Sequence, residues 1–138
     1  MSVALLLDTH AWIWFAAGDR RMKPRIAALI QDARKVGALF VSPITIWEIG
    51  MLVSKERIVL GQSCEDWIGK ALMLPGLRLA ALEPEIALAA SFLPGECHGD
   101  PADRILIATA RHLGIPLATA DAAIHGYGAQ GYVKVVKL

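Results

Sequence analysis

Short aliphatic runs alternate with longer, capped helical segments along the chain, and that alternation leaves few folds open. The runs are VALLL from Val3 to Leu7, the segment around Leu39 to Val41, LRLAAL after Gly76, PLATA before Asp121, and VKVV near the end. A strand buried on both faces reads as such a continuous aliphatic block, as in a parallel sheet covered by helices. The segments between the runs carry helix signals. Thr9 reads as the cap of a short helix holding Trp12, Ile13 and Phe15, which Gly18 would end. Pro24 suits the first turn of the next, with Ile26, Leu29, Ile30 and Ala33 at helical spacing. Ser42-Pro43 is a cap followed by a first-turn proline, and Ser63 caps a helix that opens with Glu65 and Asp66. Pro84 opens an alanine-rich helix with Ile86, Ala90 and Leu93 on one side, stopped by Pro94-Gly95. Asp100-Pro101 starts a sixth helix that runs to Gly114, and Pro116 precludes its continuation. Strand and helix in alternation predict an α/β domain with a mostly parallel sheet, a single domain over residues 1–138.

Composition narrows the class further. The chain has 138 residues, 55% hydrophobic and 20% charged, which excludes disorder. Its longest aliphatic runs are too short to span a bilayer. No basic region precedes the first run and Asp8 interrupts it, so it reads as a strand and not as a secretion signal. A cytoplasmic protein without membrane attachment is expected. Cys64 and Cys97 fit no paired metal spacing and read as two reduced thiols. A net charge of +1 does not announce a nucleic-acid binder. The segment from Arg20 to Lys35, however, sets six basic residues against Asp32 alone, a face able to attract phosphates.

The acids are the chemically informative residues. Function in open parallel sheets collects at the carboxyl ends of the strands, and Asp8 and Asp121 each end one. Glu48 has Ile44, Met51 and Leu52 as helical neighbours, and Asp103 has Leu106 and Ile107. A carboxylate on an apolar helix face is costly unless it is compensated. Simple structural roles exist for each acid: turn residue for Asp8, helix cap for Asp121, partner of the Asp100 cap for Asp103, and an ion pair with an arginine such as Arg104 for Glu48. Four inward-drawn carboxylates in one place would repel one another, and a hard divalent cation, Mg²⁺ or in its stead Mn²⁺, resolves that conflict.

LLLDTHAWIW, the lone Glu48 in ITIWEIGML, HGDPADRILIATA and the ending PLATAD together resemble the PIN domain family, with the closest similarity to VapC toxins of bacterial type II toxin–antitoxin pairs. The resemblance runs over essentially the whole chain. It implies a three-layer α/β/α fold with four to five strands and a Mg²⁺-dependent endoribonuclease acting on RNA phosphodiesters. Asp8, Glu48, Asp103 and Asp121 fall on the family's four acids, and Asp8 and Asp103 are the first choice as direct metal ligands. Thr119 falls on the polar position before the last acid, and Asp100 could serve as an outer acid beyond its cap role. His10 and His98 adjoin motif acids and could orient a carboxylate or touch substrate. The resemblance also implies a cognate antitoxin and a homodimer. Trp47, Trp67, Leu72 and Met73, on the third and fourth helices, are either an antitoxin face or core residues. Two other functions compete. One is a PIN-like protein that binds RNA or a partner without cleaving. The other is a haloacid-dehalogenase-like phosphatase, but its second aspartate, two residues after the first, is His10 here.

Overall fold

A computed structural model describes residues 3–138. Five strands form one sheet: β1 (Leu5–Leu7), β2 (Leu39–Val41), β3 (Leu77–Leu79), β4 (Leu117–Thr119) and β5 (Val135–Lys137). The order is β3-β2-β1-β4-β5 and every pairing is parallel, with Leu5 beside Leu39, Leu6 beside Leu117, Leu39 beside Leu77 and Leu117 beside Val135. The chain therefore builds outward from β1 through β2 to β3, then returns to lay β4 on the other side of β1.

The helices are α1 (Thr9–Ala17), α2 (Pro24–Lys35), α3 (Pro43–Ser54), α4 (Cys64–Leu72), α5 (Pro84–Ala89), α6 (Pro101–Leu113) and α7 (Ala122–Ala129). The pleat sorts the strand side chains to two faces. Leu5, Leu7, Leu39, Val41 and Ala118 pack with Trp12, Ile26, Ile30, Ile49 and Trp67 from α1 to α4. Leu6 and Leu117 pack with Ile86, Leu106, Ile107, Ile124 and Tyr127 from α5 to α7. This is the three-layer α/β/α arrangement, with the sheet buried on both faces. Among the described residues no helix is long and apolar enough to cross a membrane.

Local chemistry sets most boundaries. Ser42 and Ser63 accept from backbone N–H groups of Ile44 and Asp66, as cap residues do. Gly114, at φ 68°, ends α6 in the left-handed conformation. Thr9 does not cap α1: Asp8 does, accepting from Ala11 N at 2.8 Å, which frees the Thr9 hydroxyl for another use. The alanine-rich helix stops at Ala89, because Ser91 and Phe92 donate to Leu88 and Ala89 in tighter turns. LRLAAL yields only Leu77–Leu79 as strand; Ala80 still donates to Val41 O before the chain leaves the sheet.

Candidate active site

Parallel strands followed by returning helices place helix N-termini at one end of the sheet. β1 and β4 are neighbours whose connections lead in opposite directions, so a crevice opens beyond their carboxyl ends. Asp8 follows β1 and caps α1; Asp121 follows β4 and caps α7, accepting from Ile124 N at 2.9 Å. α3 and α6 pack beside this crevice and bring Glu48 and Asp103 to it. Asp8, Glu48, Asp100, Asp103 and Asp121 all line one cavity of about 370 Å³, together with Thr9, His10, Trp14 and Arg21. The four sequence-derived acids thus meet, across 113 positions of chain between Asp8 and Asp121.

Each carboxylate has a distinct holder. Thr119, fully buried, donates its hydroxyl to Asp8 Oδ2 and accepts the Asp121 backbone N–H at 3.0 Å, tying two of the acids together. Its own carbonyl accepts from His125 Nε2 at 2.6 Å. The Thr9 hydroxyl donates to Glu48 Oε1. His98 Nε2 lies 2.8 Å from Asp103 Oδ2, and Asp100 caps α6 by accepting from Asp103 N at 2.9 Å. The ion pair between Glu48 and Arg104 does not form. Arg104 instead donates to the carbonyls of Ala90, Cys97 and His98, bracing the loop that carries His98.

Burial sets the electrostatics. Asp8 is 6% exposed, and desolvation pushes its carboxyl up from the ordinary value, a rise that the bonds from Thr119 and Ala11 oppose and the Glu48 charge adds to. Asp103 is pushed up to about 6, first by burial; His98 opposes the rise, and the charges of Asp100 and Asp121 reinforce it. Arg21 is the one cationic guanidinium lining this cavity among the described residues, and its charge already answers Asp19 at 2.8 Å. The site therefore gathers more negative charge than its own side chains neutralise. His98, Asp103 and Asp121 offer donor atoms all within 4.8 Å of one another, a nitrogen-and-oxygen set suited to a divalent cation.

Thr9 and Arg21 were not legible as members of this site in the roles they take. Thr9 and Glu48 are joined only by the packing of α1 on α3, and nothing in their local sequence signals it. The adjacency of His98 to a motif acid did point toward a carboxylate, and the geometry names it as Asp103. Of the four apolar residues on α3 and α4, Trp67 is core, edge-on to Trp12 at 5.3 Å. Trp47 and Met73 are exposed, at 55% and 79%. A second hollow of about 520 Å³ lies between α1, α2 and α4, floored by Trp12, Phe15, Trp67 and Leu74 with Arg34 and Lys70 on its rim, and has no carboxylate in its lining.

The PIN domain model matches residues 5–129. Over 123 residues the chain is 31% identical to Ribonuclease VapC22 of Mycobacterium tuberculosis, covering 89% of this chain and 91% of that protein. The fold is similar to VapBC2 from Rickettsia felis, solved bound to a DNA fragment from their promoter, with a TM-score of 0.70 at 13% identity, covering 97% of this chain and 98% of that one. It is also similar to DNA-bound VapBC from Salmonella typhimurium, with a TM-score of 0.67 at 13% identity, covering 99% and 98%.

Proposed function

The chain belongs to the PIN domain family, and from that premise we propose that it is a metal-dependent endoribonuclease, the toxin of a type II toxin–antitoxin pair. The observation that carries this reading is the meeting of Asp8, Glu48, Asp103 and Asp121 in one cavity at the switch point of the sheet, with two of them raised by burial. Likeness to a ribonuclease over nine-tenths of the chain supports the same activity.

The donor atoms of His98, Asp103 and Asp121 converge as a divalent cation requires, and Asp8 and Glu48 line the same cavity. Asp8 and Asp103 are the proposed direct ligands of Mg²⁺, for which Mn²⁺ substitutes, with Glu48 and Asp121 completing the shell. When bound, the cation supplies a nucleophile near neutral pH and offsets charge developing on the phosphate. The chain's own residues hold that arrangement in place. Thr119 fixes the rotamer of Asp8 and the entry of α7, Thr9 fixes Glu48, and His98 fixes Asp103. Asp100 orients the first turn of α6 and adds negative potential at the cavity wall.

The proposed partners are an RNA substrate, a cognate antitoxin and a second copy of the chain, in a single-domain cytoplasmic protein. The hollow between α1, α2 and α4 supports a docking place for an antitoxin segment, since it is apolar in its floor and carries Arg34 and Lys70 on its rim.

Purified protein incubated with a broad RNA panel, with and without Mg²⁺ or Mn²⁺, beside Asp8→Asn, tests the reading. Cleavage that needs the metal and disappears in Asp8→Asn is expected. Cleavage without metal would sink the mechanism. RNA binding without cleavage would favour a binding-only protein, and hydrolysis of small phosphomonoesters would favour a dehalogenase-like phosphatase.

A further inference from the structure

Three flat side chains stand together at the rim of the acidic cavity. His10 and Trp14 are one helical turn apart on α1, with ring centroids 6.1 Å apart and planes tilted by 58°. The Arg21 guanidinium lies over the Trp14 ring, its Cζ 4.6 Å from the centroid. All three line the cavity that holds the acids.

The end of α1 builds this stack. Gly18, at φ 62°, turns the chain back in the left-handed conformation, and Asp19 N then donates to Trp14 O at 2.9 Å. Asp19 in turn holds Arg21 from three sides: it accepts the Arg21 backbone N–H at 2.8 Å, Nε at 3.0 Å and Nη2 at 2.8 Å. The guanidinium is thus fixed in plane, with the indole beneath it. Its side chain nevertheless remains 65% exposed. Two N–H bonds of the guanidinium answer Asp19, and those on Nη1 stay available.

Trp14 packs against the core, but folding does not require Arg21 above it, because an exposed ion pair adds little to stability. A single strand entering an acidic cleavage site does have a use for it. Unpaired bases are held by stacking on aromatic rings and on arginine planes, and a neighbouring cation meets the phosphate. We propose that Arg21, stacked on Trp14 and flanked by His10, is the platform on which a base of single-stranded RNA beside the cleaved bond stacks. The proposal rests on the reading of the adjoining cavity as an RNA-cleaving site.

The test is the affinity of a fluorescein-labelled single-stranded RNA of about 12 nucleotides, measured by anisotropy in the Asp8→Asn background so that the strand survives. Arg21→Lys keeps the charge and loses the plane, at a position too exposed to threaten the fold. It is expected to weaken binding about tenfold while the salt dependence stays unchanged. Trp14→Phe, which keeps an aromatic face, should weaken it only about threefold. An RNA series with one abasic nucleotide moved along the strand should show one position that weakens the Arg21 protein and leaves the Arg21→Lys protein unaffected. Equal affinity of Arg21→Lys and Arg21 overturns the proposal. If Arg21→Ala alone weakens binding, and with a shallower salt dependence, Arg21 is a phosphate contact and the stack is refuted. If neither Arg21→Lys nor Arg21→Ala changes RNA affinity, the face is left to a protein partner. If no RNA binds in this background and the wild type cleaves none, the reading of the cavity fails first and the platform with it.

Discussion

The two ends of the same sheet are built on opposite principles. At the amino ends of the strands the chain closes on itself. Gly76 presses against the backbone of Arg34, and Arg111 donates to the carbonyl of Tyr132. Polar groups there meet backbone partners. At the carboxyl ends, Asp8, Asp100 and Asp121 cap helices while sharing one cavity with Glu48 and Asp103. Burial raises Asp8 and Asp103, and the charge of Glu48 on Asp8 and those of Asp100 and Asp121 on Asp103 add to the rise. One end is arranged for stability; the other carries a concentration of charge that the isolated chain does not balance. Substitutions should therefore separate the two: changes at the first end lower stability, and removal of a carboxylate charge at the second lowers activity while sparing or raising stability.

The largest contrast is in turnover. Asp103→Asn or Glu48→Gln is expected to lower metal-dependent RNA cleavage by about a thousandfold, by analogy with the loss of a group that answers transition-state charge. Melting should show these variants to be at least as stable as the parent. A variant that loses activity only because it unfolds would erase the contrast. At the other end, Gly76→Ala would set its Cβ 1.7 Å from the Arg34 carbonyl oxygen at φ 87°. Backbone must move to accept it, so a loss of about 3 kcal/mol is expected in denaturant unfolding. Cleavage per folded molecule should be unchanged. Next in size is the response to metal. Saturating Mn²⁺ should raise the wild-type melting temperature by about 5 °C, the effect of a ligand that binds only the folded state. Asp8→Asn should lose most of that rise and Gly76→Ala should keep it.

Local boundaries and long-range pairings were unequally legible in the sequence. The Ser42-Pro43 start, the Gly114 stop and the aliphatic run ending at Asp8 rest on chemistry within a few residues of each boundary, and they fell where expected. Asp8, Glu48, Asp103 and Asp121 could be chosen because each is an acid at a strand end or on an apolar helix face, and they do meet. The pairings between them could not. Thr9 with Glu48 and Thr119 with Asp8 depend on how α1, α3 and β4 pack, at separations of 39 and 111 residues. Thr9 looked like a cap because a threonine before a helix usually is one, and the better acceptor at Asp8 displaced it. A pair with an arginine such as Arg104 was the structural alternative for Glu48, because a carboxylate on an apolar face needs compensation; three carbonyls on the loop before α6 and at the end of α5 claim that guanidinium instead.

The pH dependence sharpens the contrast at a smaller scale. The Asp103 carboxyl sits at about 6 in the folded chain against an ordinary 3.8. Between those values the folded state holds more protons than the unfolded one, so this group makes stability fall as pH rises. The loss is complete above the folded value and absent below the ordinary one. Asp103→Asn removes it. Metal-free melts should coincide for variant and parent near pH 4 and diverge by about 3 °C, the variant higher, at pH 7. That is about 1 kcal/mol once solvent screening of this partly exposed group is allowed for. A gap that stays constant from pH 4 to 7 would show that Asp103 carries no such burden.

The smallest expected effect falls on Thr119, and it tests whether the acidic end is organised or merely crowded. Its hydroxyl donates to Asp8 and accepts the Asp121 N–H, while His125 holds its carbonyl. Thr119→Val keeps the shape and the strand, removes one hydrogen bond to a buried carboxylate, and leaves the Asp121 N–H without its acceptor. Because that bond opposes the burial of Asp8, its loss should push the Asp8 carboxyl higher still and disfavour the charged form that holds a cation. Calorimetry should show Mn²⁺ affinity down about fivefold, with a stability loss of about 1 kcal/mol. Thr119→Ser, which restores the hydroxyl, should recover the affinity. Arg111→Met, which removes a side-chain-to-carbonyl bond at the opposite end, should lower the melting temperature slightly and leave Mn²⁺ affinity untouched. If Thr119→Val binds Mn²⁺ as tightly as the wild type, the carboxylates find their places without it, and the difference between the two ends is one of charge alone.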